Sequence, residues 1–142
     1  MSTEAEGGCL CGGMRYRISG TPVASLVCHC ASCRRASGAG AVAWLTVRRA
    51  DFGFFSGEPA RHQSSPGVTR CFCPNCGAAL TYENAAQAET IDVTTATLDE
   101  PSAHPPTVEL WLEHRISWQA VDPTLPHCPR GTDDFTAPVC GT

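Results

Sequence analysis

Eight of the chain's ten cysteines fall into three tight groups. Cys9-Leu10-Cys11 comes first, Cys28-His29-Cys30-Ala31-Ser32-Cys33 second, and Cys71-Phe72-Cys73-Pro74-Asn75-Cys76-Gly77 third. Zinc takes four tetrahedral thiolate or imidazole ligands in structural sites, and three protein ligands where chemistry requires an open position. The outer groups offer a set of four, Cys9, Cys11, Cys73 and Cys76. The middle group offers a set of three, Cys28, Cys30 and Cys33.

The strongest local signal is Cys73-Pro74-Asn75-Cys76-Gly77. A Cys-x-x-Cys turn lets two sulfurs face one metal while backbone N–H groups point back at them, and the following glycine adopts the conformation other residues resist. Cys9 and Cys11 supply the matching pair. A redox Cys-x-x-Cys would sit in a βαβ setting, but no helix pattern follows Cys76. For the middle group a fourth ligand is not evident in the sequence; Cys71, Cys128, Cys140 and the histidines are the candidates. Two readings stay open there: a centre with an exchangeable position for an outside thiol or water, and a closed structural site.

His29 lies between two ligands, where alternation turns its side chain away from the metal, so it reads as an imidazole beside the site or on the surface. Arg34-Arg35 could bind a substrate carboxylate through forked contacts, or be a solvated pair. Gly38 and Gly40 suit a loop close to a ligand, or a turn. Cys71 reads as a small buried hydrophobe. Cys128 and Cys140 receive no assignment.

Length places the chain as one domain, residues 8–126, between a flexible lead at 1–7 and a loop or disordered tail at 127–142. Eleven prolines and thirteen glycines favour many turns over long helices. Strand-like patterns fall at 14–19, 22–27, 41–47, 52–55, 68–72, 78–82, 90–95 and 108–112. The expectation is a mainly β domain of short antiparallel strands with little helix, stapled by zinc. A formal charge of -4 provides no field to attract nucleic acid or an anionic membrane. No apolar run is long enough to span a bilayer, and the acidic start has no secretory pattern. A cytoplasmic, reducing compartment follows as the expectation, in which clustered cysteines bind metal or do chemistry rather than form disulfides.

The motifs Gly8-Cys9-Leu10-Cys11-Gly12, Cys28-His29-Cys30-Ala31-Ser32-Cys33-Arg34 and Phe72-Cys73-Pro74-Asn75-Cys76-Gly77 together resemble the glutathione-dependent formaldehyde-activating enzyme family, which includes the centromere protein V domain. The likeness runs on through Thr97-Leu98-Asp99-Glu100-Pro101 to Trp118 and Asp122. The resemblance implies a β-tent fold with two Zn²⁺ per chain. It implies a structural site at Cys9, Cys11, Cys73 and Cys76, and a catalytic site at Cys28, Cys30 and Cys33 that receives a thiol. The implied activity is that of a carbon–sulfur lyase run in reverse, adding glutathione or a similar small thiol to formaldehyde or another small aldehyde. A zinc-stapled binding module without turnover, as the centromere-protein relatives suggest, is the alternative. A thiol redox protein is a third reading. Many members carry a histidine where this chain has Glu109; a carboxylate touching substrate there would disfavour an anionic ligand such as glutathione.

Overall fold

A computed structural model describes residues 4–132. They form ten short strands, one α-helix and several 3₁₀ turns, so the mainly β architecture stands as expected. By internal contacts they fall into two compact units, residues 4–23 with 45–104 and residues 24–44 with 105–132, where length alone suggests one domain.

In the first unit, β1 (Ala5–Gly8), β2 (Arg15–Ile18) and β5 (Phe52–Ser56) form an antiparallel sheet in the order β1-β2-β5. Alternation along β2 sends Tyr16 and Ile18 into the core, and Arg15 and Arg17 outward to carboxylates. Arg15 makes a forked pair with Asp99 at 2.9 and 2.6 Å, and Arg17 reaches Glu6 at 2.8 Å. The Tyr16 hydroxyl bonds the Thr97 hydroxyl at 2.8 Å. Gly7 lies so close to the Tyr16 ring and the Thr97 carbonyl that a Cβ would not fit. β1 covers residues that the sequence reading left as a lead, because Ala-Glu-Gly-Gly has no hydrophobic alternation to betray it.

The same unit carries the end of β4 (Val42–Arg48), then β6 (Ala60–Ser65), β7 (Val68–Phe72), β8 (Ala79–Asn84) and β9 (Thr90–Thr94). β6, β7, β8 and β9 pair antiparallel in sequence order. Met14, Tyr16, Ile18, Leu45, Val47, Leu80, Ile91, Val93 and Leu98 form its core, and Cys73 packs among them.

In the second unit, β3 (Ala24–Cys28) leads into α1 (Ala31–Ser37), which Gly38 ends in the left-handed conformation at φ 73. β10 (Val108–Leu110) lies parallel to β3, with Glu109 opposite Val27 and Leu110 opposite Cys28. That pairing departs from the antiparallel expectation: the strands are separated by most of the chain, so no hairpin fixes their direction. Beyond β10 the chain returns beside it, Glu109 N–H bonding the Pro126 carbonyl at 3.0 Å and Cys128 N–H bonding the Glu109 carbonyl at 2.8 Å. Residues 127–130 are therefore tied down where the sequence reading has a tail. Cys128 is buried and disulfide-bonded; Cys140 lies outside the described residues. No helix among the described residues is long and apolar enough to cross a membrane.

One half-buried acid opposes the fold in its charged form. Asp92 on β9 accepts a 2.5 Å hydrogen bond from the Thr46 hydroxyl, yet burial pushes its carboxyl from 3.8 up to about 6. In the unfolded chain it loses its proton near 3.8, and in the folded chain it keeps it until about 6. Its contribution to stability therefore falls as pH rises through that window and stays lower above it. Asp92→Asn keeps the acceptor without the charge. It is expected to raise stability at neutral pH by about 1–3 kcal/mol, with the gain vanishing below the ordinary carboxylate range. Urea unfolding of both proteins at two pH values checks this, and a gain that is the same at both would contradict it.

Candidate metal centres

Cys9 and Cys11 sit in the loop between β1 and β2, and Cys73 and Cys76 in the loop between β7 and β8. Both loops close the same way. Cys9 N–H bonds the Met14 carbonyl at 3.1 Å, and Cys73 N–H bonds the Ala78 carbonyl at 3.0 Å. In each, a later backbone N–H turns onto a sulfur: Met14 onto Cys9 Sγ at 3.2 Å and Cys76 onto Cys73 Sγ at 3.4 Å. Gly77 follows at φ 79, a conformation that only glycine adopts readily.

The four sulfurs lie within 4.8 Å of one another. Cys11 Sγ is 3.5 Å from Cys9 Sγ and 3.8 Å from Cys73 Sγ. A regular tetrahedron with sulfurs ~2.3 Å from zinc has edges of about 3.8 Å, so the spacing suits that ion. Hydrogen bonds from the Asn75 side chain and then from Gly13 N–H pull the Cys11 thiol down to about 6.

Cys28, Cys30 and Cys33 also converge within 4.8 Å of one another. Cys28 ends β3, Cys30 caps α1 and Cys33 lies in its first turn, with Cys30 Sγ accepting the Cys33 N–H at 3.3 Å. Cys28 and Cys33 are buried and Cys30 is half-buried. Hydrogen bonds from Cys28 and Cys33 hold the Cys30 thiol far below its ordinary value, while those to Cys30 and Cys33 push Cys28 far up. Cys30 is the most exposed sulfur of the three. Among the described residues, no fourth His, Cys, Asp or Glu ligand atom joins this group. Cys71, one of the candidates, is buried on β7 with Arg61 Nη1 3.4 Å from its sulfur.

Sequence reasoning missed the partner of His29. The imidazole is fully buried, and its Nε2 lies 2.6 Å from Glu109 Oε1, also buried. The other Glu109 oxygen accepts the Asp122 N–H. His29 N–H bonds the Leu110 carbonyl at 3.0 Å, so the residue between two cysteines anchors their loop to β10. The surface reading of His29 is set aside. So is the concern that Glu109 faces a ligand: both its oxygens are engaged inside the protein. No sequence signal links residues eighty positions apart, but a lone histidine flanked by ligands does mark a side chain that must turn inward.

Around the three-sulfur group, Ala31 N–H approaches His114 Nδ1 at 3.4 Å, and the His114 ring lies against Trp111 at 5.3 Å between centroids. Trp111 has φ 60, the one left-handed non-glycine residue among those described. Such strain concentrates at functional sites. Trp118 is 74 % exposed.

A mainly β chain with two cysteine clusters, each able to hold a metal ion, defines the class to which this protein belongs. The model of the glutathione-dependent formaldehyde-activating enzyme family matches residues 4–114, and the chain belongs to that family. A Halomonas elongata protein named "Putative glutathione-dependent formaldehyde-activating enzyme" is 31% identical over 129 residues, covering 82% of this chain and 80% of its own. A crystal structure of a Rhodobacter sphaeroides protein shares the fold with a TM-score of 0.58 at 19% identity, covering 86% of this chain and 98% of that one.

Breaking a buried pair by removing one partner typically loses about 3–5 kcal/mol. Glu109→Ala strands both His29 and the Asp122 N–H, so a loss near 3 kcal/mol is expected in urea unfolding. Glu109→Gln should lose clearly less, since its amide oxygen still accepts from His29. Equal losses from the two would show that the hydrogen bond is not what holds the loop.

Proposed function

We propose that this protein is a zinc-dependent enzyme of the carbon–sulfur lyase type, joining a small thiol such as glutathione to formaldehyde or another small aldehyde. The observation that carries this is the unequal cysteine partition. One cluster has four sulfurs; the other has three, with no fourth ligand atom among the described residues. Cys9, Cys11, Cys73 and Cys76 would hold a structural zinc, and Cys28, Cys30 and Cys33 a second. Zinc at the three-cysteine set would supply the positive charge that keeps a docked thiol deprotonated at neutral pH.

The reaction asks little else of the chain. A sulfur lone pair forms the C–S bond to the carbonyl carbon, the C=O π pair moves to oxygen, and the thiol's proton ends on the new hydroxyl. The rest is positioning. Cys28 and Cys33 are fixed by burial, Cys30 is held toward solvent at the helix cap, and His29 with Glu109 locks the loop from behind. No dedicated acid or base is required. We place the protein in the cytoplasm, where clustered cysteines bind metal.

Elemental analysis of protein purified under reducing conditions should give two zincs per chain, one of them released by mild chelation with the fold intact. Cys30→Ser should keep its melting transition, because serine caps a helix well. It should lose the second zinc and slow thiol–formaldehyde adduct formation, followed by NMR, by roughly 100-fold or more. Undiminished adduct formation in that variant would sink the proposal. Two tightly held zincs and no turnover in the parent would favour the binding-module alternative.

A further inference from the structure

From the ring that receives the Ala31 N–H, we infer that His114 is a catalytic residue of the three-cysteine site: its Nε2–H donates a hydrogen bond to the aldehyde oxygen as the C–S bond forms. This role rests on the proposed function and deepens it by naming the group that meets the developing charge. A backbone N–H can only donate, so the 3.4 Å approach of Ala31 N–H makes His114 Nδ1 an acceptor. The ring proton then sits on Nε2, because the bond made by one nitrogen sets the tautomer of the other. Glu113 Oε1 stands 3.8 Å from Nε2, beyond hydrogen-bond length, and that oxygen already accepts from Arg130 Nε at 2.9 Å. The side chain is 40 % exposed, so a small molecule can reach it.

Placement and rigidity set this ring apart. The Ala31 N–H belongs to the peptide that joins Ala31 to Cys30, so the imidazole stands one peptide from the least buried of the three cysteines. The 3₁₀ turn Leu112–His114 that carries it is strapped down along its length. Leu112 N–H bonds the Cys128 carbonyl at 3.1 Å, Glu113 N–H the Pro129 carbonyl at 3.2 Å, and His114 N–H the Trp111 carbonyl at 3.0 Å. Trp111, against which the ring lies at 5.3 Å, enters the turn at φ 60, a conformation that a bulky residue keeps only where its surroundings enforce it. A donor fixed before the reaction needs no reorganisation when charge develops, which is what makes such groups effective.

A small aldehyde carries its oxygen one bond from the carbon attacked, so the donor that meets it has to come from residues immediately around the sulfurs. A sulfur lone pair forms the C–S bond, the C=O π pair moves to oxygen, and the Nε2–H bond to that oxygen is strongest as it becomes negative. The thiol's proton leaves to water and the oxygen takes one from water, so His114 ends as it began. It acts as a hydrogen-bond donor, and the step needs no proton from the ring.

Asparagine separates anchoring from catalysis: its side-chain oxygen overlays Nδ1 and accepts from Ala31, but it places no donor where Nε2 lies. Glutamine does the reverse, extending an amide N–H to the Nε2 position. In the full zinc-loaded chain, His114→Asn should keep the zinc content, the melting temperature and the calorimetric affinity for glutathione, while kcat/KM for formaldehyde falls about 100-fold. His114→Gln should recover part of that loss, and ¹⁵N NMR of the parent should find the ring proton on Nε2. A parent-like rate in His114→Asn, a fall in zinc content or melting temperature that accounts for the lost rate, or a proton on Nδ1 overturns the role of His114 and leaves the proposed function standing. A parent that forms no adduct overturns both.

Discussion

Four cysteine sulfurs within 4.8 Å of one another place a severe electrostatic demand on the chain that gathers them. As thiolates they repel strongly, and as thiols they are poor hydrogen-bonding partners for so confined a space. A divalent cation would resolve the conflict, and through it the β1–β2 loop and the β7–β8 loop would become one object. Cys11 and Cys73 stand 62 positions apart, so such a link closes a long loop at an entropic cost that grows only slowly with length. Strands of four to six residues need that help. Cys73 belongs to the hydrophobic core while Cys11 is exposed, which ties the cluster to the packing of Met14, Tyr16 and Leu80.

The two clusters share a ligand type and differ in what surrounds it. In the four-sulfur group each hairpin loop brings its own backbone N–H groups to the sulfurs, and the arrangement is complete with protein ligands. In the three-sulfur group, mutual hydrogen bonding moves Cys28 up and Cys30 down, while burial raises both. Three thiolates about one Zn²⁺ would carry a net negative charge, an arrangement that favours holding one more sulfur loosely over binding it for good. Rigidity comes from behind, through His29 and Glu109, while Cys30 stays half-exposed.

The parts of this architecture that obey local periodicity were legible in the residues. Every segment read as a strand overlaps one, because Tyr16 and Ile18, or Ile91 and Val93, alternate toward a core as the period of two requires. β6 escaped because Arg61 to Ser65 are exposed, leaving no buried face to read. α1 escaped because Cys33 is its sole buried residue, so no apolar stripe exists; Ala31, Arg34, Arg35, Ala36 and the terminal Gly38 were the composition-level hint. The two cysteine sets were legible because metal-ligand spacing is local. The His29–Glu109 pair and the return of residues 126–130 beside β10 were not, since both depend on contacts between distant segments.

Net charge taken alone argues against an anionic thiol, since the chain itself carries a formal -4. Screening removes most of that objection. At physiological ionic strength the Debye length is about 8 Å, so carboxylates spread over the surface are felt weakly at the cluster, and nearby groups decide. Those nearby groups are Arg34 and Arg35 on α1, with the buried carboxylate of Glu109 turned onto His29 and the Asp122 N–H. Global charge thus sets how readily the protein meets polyanions, while the groups around the cluster would decide which small thiol is held there. An acidic protein and an acidic substrate are compatible whenever the groups around the reacting atom are not themselves free carboxylates.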